Sequence, residues 1–529
     1  MTALELLPPV TEAPASPPVP LARRLRSAAG TLLLVLPPAL LTLVMTVVGI
    51  GTRSLWNDEY ATWYAATLSF GDLVRLIGNV DAVVAPYYLL MHGWIGLFGE
   101  SAASLRMPSA LAMAAAAGLV ALLGRRLFDV GAGLSAGLLF AGLPAVSRYG
   151  QEARPYSFAI ALAALATLML LQAARRPTWR RWILYGGCLF IASLLHIVTL
   201  SILLPHALYM WQTFRSRGDF RLLRWIAGVL LAVTGALPLV AKGRHQASAI
   251  DWIQLNSTTI EQLPGRLFGS GAVAAVVAGA AVVAAVLLWT RAPGTSPHPA
   301  EQPPDGARRD RGPVVLLLAW ALFPPLFCLV TFPVLHLFLH RYLLFTLPAW
   351  VLLAAALGFS LIRSAGQRRS TIALSLAGLL VVAAVFYAGV AGQEAARHSP
   401  VVGEPDFRGA ASSIIARQQP GDGIAFAGAG RNGRRAFSYE TRLIRVQPTD
   451  LLVARTAQQI GQFGTLECAD PGRCVGDTQR IWLITATENY EDPLIGMTDT
   501  IQAYLNTAFS FTEIQSFEHA RLFLLTRKA

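Results

Sequence analysis

The chain has 529 residues, of which 54% are hydrophobic and only 14% charged, a balance far from that of a soluble globular protein. Its formal net charge of +13 sits in short basic clusters between apolar segments, which set membrane topology and do not form a nucleic-acid-binding face. The composition defines a polytopic membrane protein with membrane lipids as its surroundings, and it argues against nucleic acid as a partner.

Residues 1–26 are Pro-rich and lack an apolar run ahead of a small-residue cleavage site, so they are expected to be a disordered cytoplasmic tail. Crossing about 30 Å of hydrocarbon takes about 20 apolar residues. Runs of that kind predict about eleven helices, near 27–51, 104–124, 130–147, 155–174, 181–195, 198–214, 222–241, 269–290, 313–334, 342–362 and 371–391. Leu194, Leu195, His196 and Ile197 carry no turn signal between the fifth and sixth of these, and the charge pattern decides the division. With the N-terminus inside, this count puts Arg125, Arg126, Arg175, Arg176, Arg215, Arg217, Arg308, Arg309, Arg368 and Arg369 on the cytoplasmic side, as the positive-inside rule requires. One helix fewer would place the last two clusters outside. The Pro-rich stretch 292–312 then reads as a flexible inside loop, and 52–103, 242–268 and everything after about 392 lie outside.

From 393 to 529 the apolar runs shorten and turn signals such as Pro420-Gly421-Asp422-Gly423 appear, marking a soluble domain. Periodicity predicts helices over 406–419 and 498–507 and strands over 423–427, 480–485 and 520–526, a small α/β domain. Cys468 and Cys474 flank a turn within it and suit a disulfide in an oxidising compartment, whereas zinc would need two more ligands nearby. Cys188 and Cys328 fall inside helices as inert core residues.

Three clusters carry the candidate chemistry. Asp58 and Glu59, in Arg53-Ser54-Leu55-Trp56-Asn57-Asp58-Glu59-Tyr60, follow the first apolar run, and two carboxylates at a membrane surface are poor anchors. Their loop is too long to be a mere connection, and its Tyr60, Trp63, Tyr64, Tyr87, Tyr88 and His92 suggest short helices at the interface. The second cluster, Ser147 to Tyr156, holds Glu152, Arg154 and Tyr156, with Pro155 suited to a first helical turn. The third is His340-Arg341-Tyr342 at the start of a late helix. All three fall on the same predicted side. Arginine's planar fork suits phosphate, a carboxylate can act as a base on a hydroxyl, and cations stabilise a released phosphate. His196 and His206 read as satisfied intramembrane hydrogen-bonders.

Together these clusters and the many-helix layout resemble the GT-C superfamily of integral-membrane glycosyltransferases over roughly residues 27–392. Within it the chain is similar to the branch of protein O-mannosyltransferases and the lipid A aminoarabinose transferase. Asp406-Phe407-Arg408-Gly409-Ala410-Ala411 and Pro420-Gly421-Asp422 look like the soluble domain of actinobacterial members. The resemblance implies a GT-C fold of about 11 transmembrane helices with a small C-terminal soluble α/β domain. It also implies a multi-pass protein of the cell membrane, with a cytoplasmic N-terminus and an extracytoplasmic C-terminal domain. The implied reaction is inverting transfer of a sugar, mannose above others, from a polyprenyl-phosphate donor to an envelope glycolipid, polysaccharide or protein acceptor. Asp58 would be the base, with Glu59 supporting it or helping to hold a divalent metal ion, as in part of the family. Arg154 and Arg341 would contact the donor phosphate, with His340, Tyr342, Tyr60, Glu152, Tyr156 and His92 as further substrate-side residues. Eukaryotic protein mannosyltransferases carry a lumenal β-trefoil for which this chain has no loop of sufficient length, which counts against protein as the acceptor.

Two readings from other classes compete. A secondary transporter or flippase would show inverted repeats and charges near the bilayer midplane, whereas here the ionisable clusters lie at helix ends. A non-catalytic envelope-assembly protein could bind polyprenyl lipids through the same residues without consuming a donor.

Overall fold

The computed structural model describes residues 21–214, 221–246, 250–290, 311–362, 369–428, 430–486 and 492–529. Most of the expected tail and most of the Pro-rich loop lie outside these residues, as do Arg215, Arg217, Arg308, Arg309 and Arg368. The first helix, α1 (Leu21–Val47), begins inside the stretch expected to be disordered, because Leu21 to Gly30 holds no proline to stop a helix propagating outward from the apolar run.

The first long loop is folded, as α2 (Asn57–Thr67), α3 (Phe70–Asn79), a 3₁₀ turn (Ala82–Val84) and α4 (Ala85–Phe98). The apolar segments follow as α5 (Ala102–Leu127), α6 (Val130–Gly142), α7 (Pro144–Gly150), α8 (Tyr156–Arg175), α9 (Trp179–Leu195), and a 3₁₀ turn (Ile197–Ile202) running into α10 (Leu203–Phe214). The insecure division thus falls at His196. The series continues with α11 (Arg221–His245), α12 (Ser257–Phe268), α13 (Gly271–Thr290), α14 (Gly312–Val330) and α15 (Phe332–Leu335). A 3₁₀ turn (His340–Thr346) then leads into α16 (Leu347–Ile362), followed by α17 (Arg369–His398). Among the described residues eight helices are long and apolar enough to span a membrane, and α6 with α7 makes a ninth as a bent pair. α9 and α10 are shorter, but each expected apolar run is a helical segment in the expected order.

Expected as one helix, α6 and α7 are bent by 63°. Pro144 occupies the first turn of α7, where its missing N–H costs little, and it cannot continue the ladder of α6. The bend carries residues 147–155 beneath the first loop. α5 is the central strut, packed against α1, α6 and α8. Its contact with α6 depends on glycine: a Cβ on Gly124 would stand 2.7 Å from the Gly133 Cα, and one on Gly133 would stand 2.6 Å from the Ala121 carbonyl oxygen. Small residues of this kind let membrane helices approach to backbone contact.

After α17 comes α18 (Phe407–Arg417), then β1 (Gly423–Ala427), α19 (Gly430–Thr441), β2 (Thr449–Asp450), β3 (Val453–Arg455), α20 (Ala457–Ile460), β4 (Leu466–Glu467), α21 (Pro471–Val475), β5 (Arg480–Thr485), α22 (Asp499–Ala508), β6 (Phe509–Phe517) and β7 (Ala520–Arg527). The main sheet has the order β2-β1-β5-β7-β6, with β1 parallel to β2 and β5, and β7 antiparallel to β5 and β6. β1 is buried at every position, as an unalternating apolar strand between two neighbours should be. Cys468 and Cys474 are joined, with Cα atoms 6.6 Å apart. This domain does not hang free. Phe407, Phe426, Phe437, Tyr439 and Trp482 share one buried cluster with Tyr60, Trp63, Leu73, Tyr87 and Tyr88 of the first loop.

Candidate active site

Asp58 and Glu59 both lie in the first turn of α2, where carboxylates complement the helix dipole. Successive residues on a helix project about 100° apart, so the two acids serve different surroundings. Glu59 turns inward and is fully buried. Its Oε1 accepts from Arg106 Nε at 2.8 Å and from the Ala153 amide at 2.9 Å. Its Oε2 accepts from Arg106 Nη2 at 2.7 Å and from the Trp56 amide at 3.4 Å. Arg106 spends its remaining donors on the carbonyls of Ile50, Arg53 and Ser54. The pair is a buried clamp binding α5, the entry to α2 and the 151–155 loop.

Asp58 faces outward, with 27% of its side chain exposed. Its Oδ2 lies 3.7 Å from Arg154 Nε and 3.7 Å from Arg341 Nη2. Arg154 is set by its own backbone: its carbonyl accepts from Ser109 Oγ at 3.2 Å, and the preceding Ala153 is held by Glu59 and by Thr62 Oγ1. The Arg341 guanidinium makes cation–π contacts with two indoles, 5.1 Å from the Trp56 centroid and 5.3 Å from that of Trp252. The Nε atoms of both arginines are buried and have no hydrogen-bond partner. Buried donors left unpaired are costly, and here both belong to guanidiniums that border one carboxylate.

Glu152 is buried and pairs through Oε1 with Arg148 Nη2 at 3.0 Å, while its Oε2 has no partner. Burial pushes its carboxyl up to about 7, against the lowering effect of Arg148. The Tyr156 and Tyr342 rings pack against His196, with centroids at 5.8 and 5.2 Å, and the His340 ring lies 6.4 Å from that of Tyr149. His206 is held instead between Tyr185 and Thr167, as expected of a core histidine.

Two candidates lie elsewhere. The Tyr60 hydroxyl donates to Glu440 Oε1 at 2.8 Å in the soluble domain, and His92 Nδ1 meets the Ala66 carbonyl at 2.9 Å. Both hold the first loop together or to its neighbour. Sequence reasoning passed over Arg106, although an arginine in an otherwise apolar run calls for a buried partner. It also passed over Glu404, whose Oε2 accepts from the Asn57 amide at 3.2 Å, next to Asp58. Burial and the Asp58 charge push the Glu404 carboxyl up to about 7, against the Asn57 hydrogen bond. Nothing in the polar stretch around Glu404 marks it out.

A divalent ion beside Asp58 and Glu59 does not fit this donor set. Both Glu59 oxygens are committed, Asp58 is flanked by two guanidiniums, and among the described residues no three His, Cys, Asp or Glu side chains form a metal-binding group.

Fold and site thus define a polytopic membrane protein with one carboxylate and two arginines gathered at the helix ends of one face. The family model for dolichyl-phosphate-mannose-protein mannosyltransferase matches residues 81–241. ArnT from Cupriavidus metallidurans bound to undecaprenyl phosphate superposes with a TM-score of 0.60 at 12% identity, over 94% of this chain and 98% of that one. Its apo form gives 0.58 at 14% identity, with coverage of 94% and 98%. An Archaeoglobus fulgidus oligosaccharyltransferase in complex with Zn and sulfate gives 0.47 at 12% identity, over 92% of this chain and 72% of that one. No curated protein matches the sequence significantly. The chain shares the fold of ArnT, and over residues 81–241 it is similar to the mannosyltransferase family.

Proposed function

We propose that the chain transfers a sugar, mannose foremost, from a polyprenyl-phosphate donor to a hydroxyl of a cell-envelope glycolipid or polysaccharide. The reaction takes place on the extracytoplasmic face, where Asp58 and the C-terminal domain lie and opposite the cytoplasmic N-terminus. The observation that carries this reading is the pair of arginines, each 3.7 Å from the same Asp58 oxygen and each with a buried Nε that has no hydrogen-bond partner. The mannosyltransferase family match and the undecaprenyl phosphate held by ArnT support the donor class.

The chemistry follows from charge. A polyprenyl-phospho-sugar is a phosphodiester with one negative charge, and the polyprenyl phosphate that leaves carries a second. Arg154 and Arg341 therefore gain interaction energy as the C1–O bond to phosphate breaks, which is differential stabilisation of the transition state. Asp58 takes the proton of the acceptor hydroxyl as that oxygen bonds to C1 from the opposite face, inverting the anomeric carbon. Before the donor arrives, the same arginines hold Asp58. An incoming phosphate draws the guanidiniums to itself and frees the carboxylate, so the base is released when the donor is in place. Glu59 and Arg106 position this turn. Because these two acids do not offer an ion site, chelation with EDTA should leave transfer unchanged.

The test is incubation of purified full-length protein with radiolabelled polyprenyl-phospho-sugars and envelope lipid extract. Acceptor-dependent release of polyprenyl phosphate, greatest with the mannosyl donor, is expected. Binding of donor with no turnover would favour an assembly protein, and vesicle-dependent movement of intact donor would favour a flippase.

A further inference from the structure

At the far ends of the same helices lies a second feature, unrelated to Asp58. A cavity of about 820 Å³ is lined by Arg125 and Arg126 at the end of α5, Arg175 and Arg176 at and just past the end of α8, Arg181 in the first turn of α9, and Thr31 of α1. Its size is within the range of about 300–1,000 Å³ typical of small-molecule sites. α5 spans about 39 Å at 1.5 Å per residue. Its first turns carry Arg106 of the acidic clamp and its last turn carries Arg125 and Arg126, so the cavity opens on the opposite membrane face from Asp58.

The positive-inside rule explains arginines at these helix ends. It does not explain why the half-buried Arg125, Arg126 and Arg181 converge with the exposed Arg175 and Arg176 around one cavity, where like charges repel. Among the described residues no Asp or Glu pairs with any of the five, while Arg125 Nη1 donates to Thr31 Oγ1 at 3.1 Å and Arg181 Nη1 to the Arg176 carbonyl at 3.0 Å. Arg126 Nε is buried without a partner. Five guanidiniums, no counter-carboxylate and an unpaired buried donor together form an anion receptor.

We propose that this cavity binds a phosphate-bearing anion at the membrane surface opposite the catalytic face. Arginine forks bind phosphate by paired, charge-assisted hydrogen bonds, and basic pockets between membrane helices on the cytoplasmic side suit anionic lipid headgroups. The occupant holds the ends of α5, α8 and α9 together by neutralising their mutual repulsion. Because α5 and α8 also carry Arg106 and lead from Arg154, the site stabilises the frame of the active site without touching substrate.

The experiment measures thermal unfolding of the full-length protein in nanodiscs of phosphatidylcholine, in nanodiscs containing phosphatidylglycerol, and in phosphatidylcholine nanodiscs with added inorganic phosphate. A raised midpoint with phosphatidylglycerol alone identifies a lipid headgroup, and a raised midpoint with phosphate as well identifies a soluble anion. Arg126→Gln should weaken the apparent affinity by about tenfold, one charge-assisted bond, and Arg126→Lys by less. Arg180→Gln, on the same turn but outside the cavity, removes the same charge and should leave the response intact. If neither anion shifts the midpoint, or if Arg180→Gln weakens the response as much as Arg126→Gln, the proposal is overturned and the arginines serve topology alone.

Discussion

Removing one side of the Glu59–Arg106 clamp separates what Glu59 holds in place from the base role proposed for Asp58. Arg106 directs Nε and Nη2 to the two Glu59 oxygens and its other donors to the carbonyls of Ile50, Arg53 and Ser54, all within 3.0 Å. Both side chains have no solvent exposure. Truncating one partner leaves an uncompensated buried charge, a loss of about 3–5 kcal/mol. Arg106→Met should reach the upper end, because three carbonyls also lose their donor. Glu59→Gln should cost less, because the amide still accepts from Ala153. The double variant Glu59→Gln/Arg106→Met should be more stable than the sum of the singles by about 2–3 kcal/mol, the coupling of a contacting pair. Unfolding by denaturing detergent titrated into mixed micelles, followed by tryptophan fluorescence, measures each value. A Glu59→Gln protein of unaltered stability that has lost transfer would place Glu59 in the chemistry and refute the clamp.

Three further outcomes follow from the same geometry. Arg341→Lys keeps the charge but loses the fork in contact with Trp56 and Trp252, and it should raise the donor KM by about tenfold or more, the worth of a charge-assisted bond, with steady-state donor titration as the check. Glu152 holds its proton more tightly when folded, up to about 7, against about 4.3 in a free chain. Its contribution to stability is therefore full below about pH 4.3 and is lost as pH rises through about 7, a change of about 4 kcal/mol. Glu152→Gln should flatten the profile of thermal midpoint against pH across that window, and an unaltered slope would contradict the assignment. Tyr60→Phe removes the hydrogen bond to Glu440 and should loosen the soluble domain by about 1 kcal/mol, seen as faster proteolysis at the linker before α18.

Much of the architecture was legible because membrane helices obey a length rule and basic clusters fix their order. The division at His196 is a break between two short helical segments. The bend at Pro144 was less visible, since a proline in an apolar run marks a break but not its angle. In the soluble domain, β1 and β5 stand out as buried apolar runs. α19 does not, because its buried Ala436, Phe437 and Tyr439 are explained by packing against α2, far away in sequence. Asp58, Arg154 and Arg341 were readable as a candidate cluster because charged groups at helix ends need a reason, and the structure brings the three together. The division of labour between Asp58 and Glu59 depends on Arg106, which becomes intelligible only once α5 is seen to run beneath α2.

The most direct measurement compares Asp58→Asn with the native chain in two assays on the same preparation, donor binding and sugar transfer. The substitution removes the proposed base and frees both arginines from their carboxylate. Polyprenyl-phosphate binding should therefore be retained or tightened while transfer falls by at least about 10²-fold, the lower bound for losing a positioned general base. Transfer at the native rate, or loss of donor binding together with transfer, would contradict the role given to Asp58.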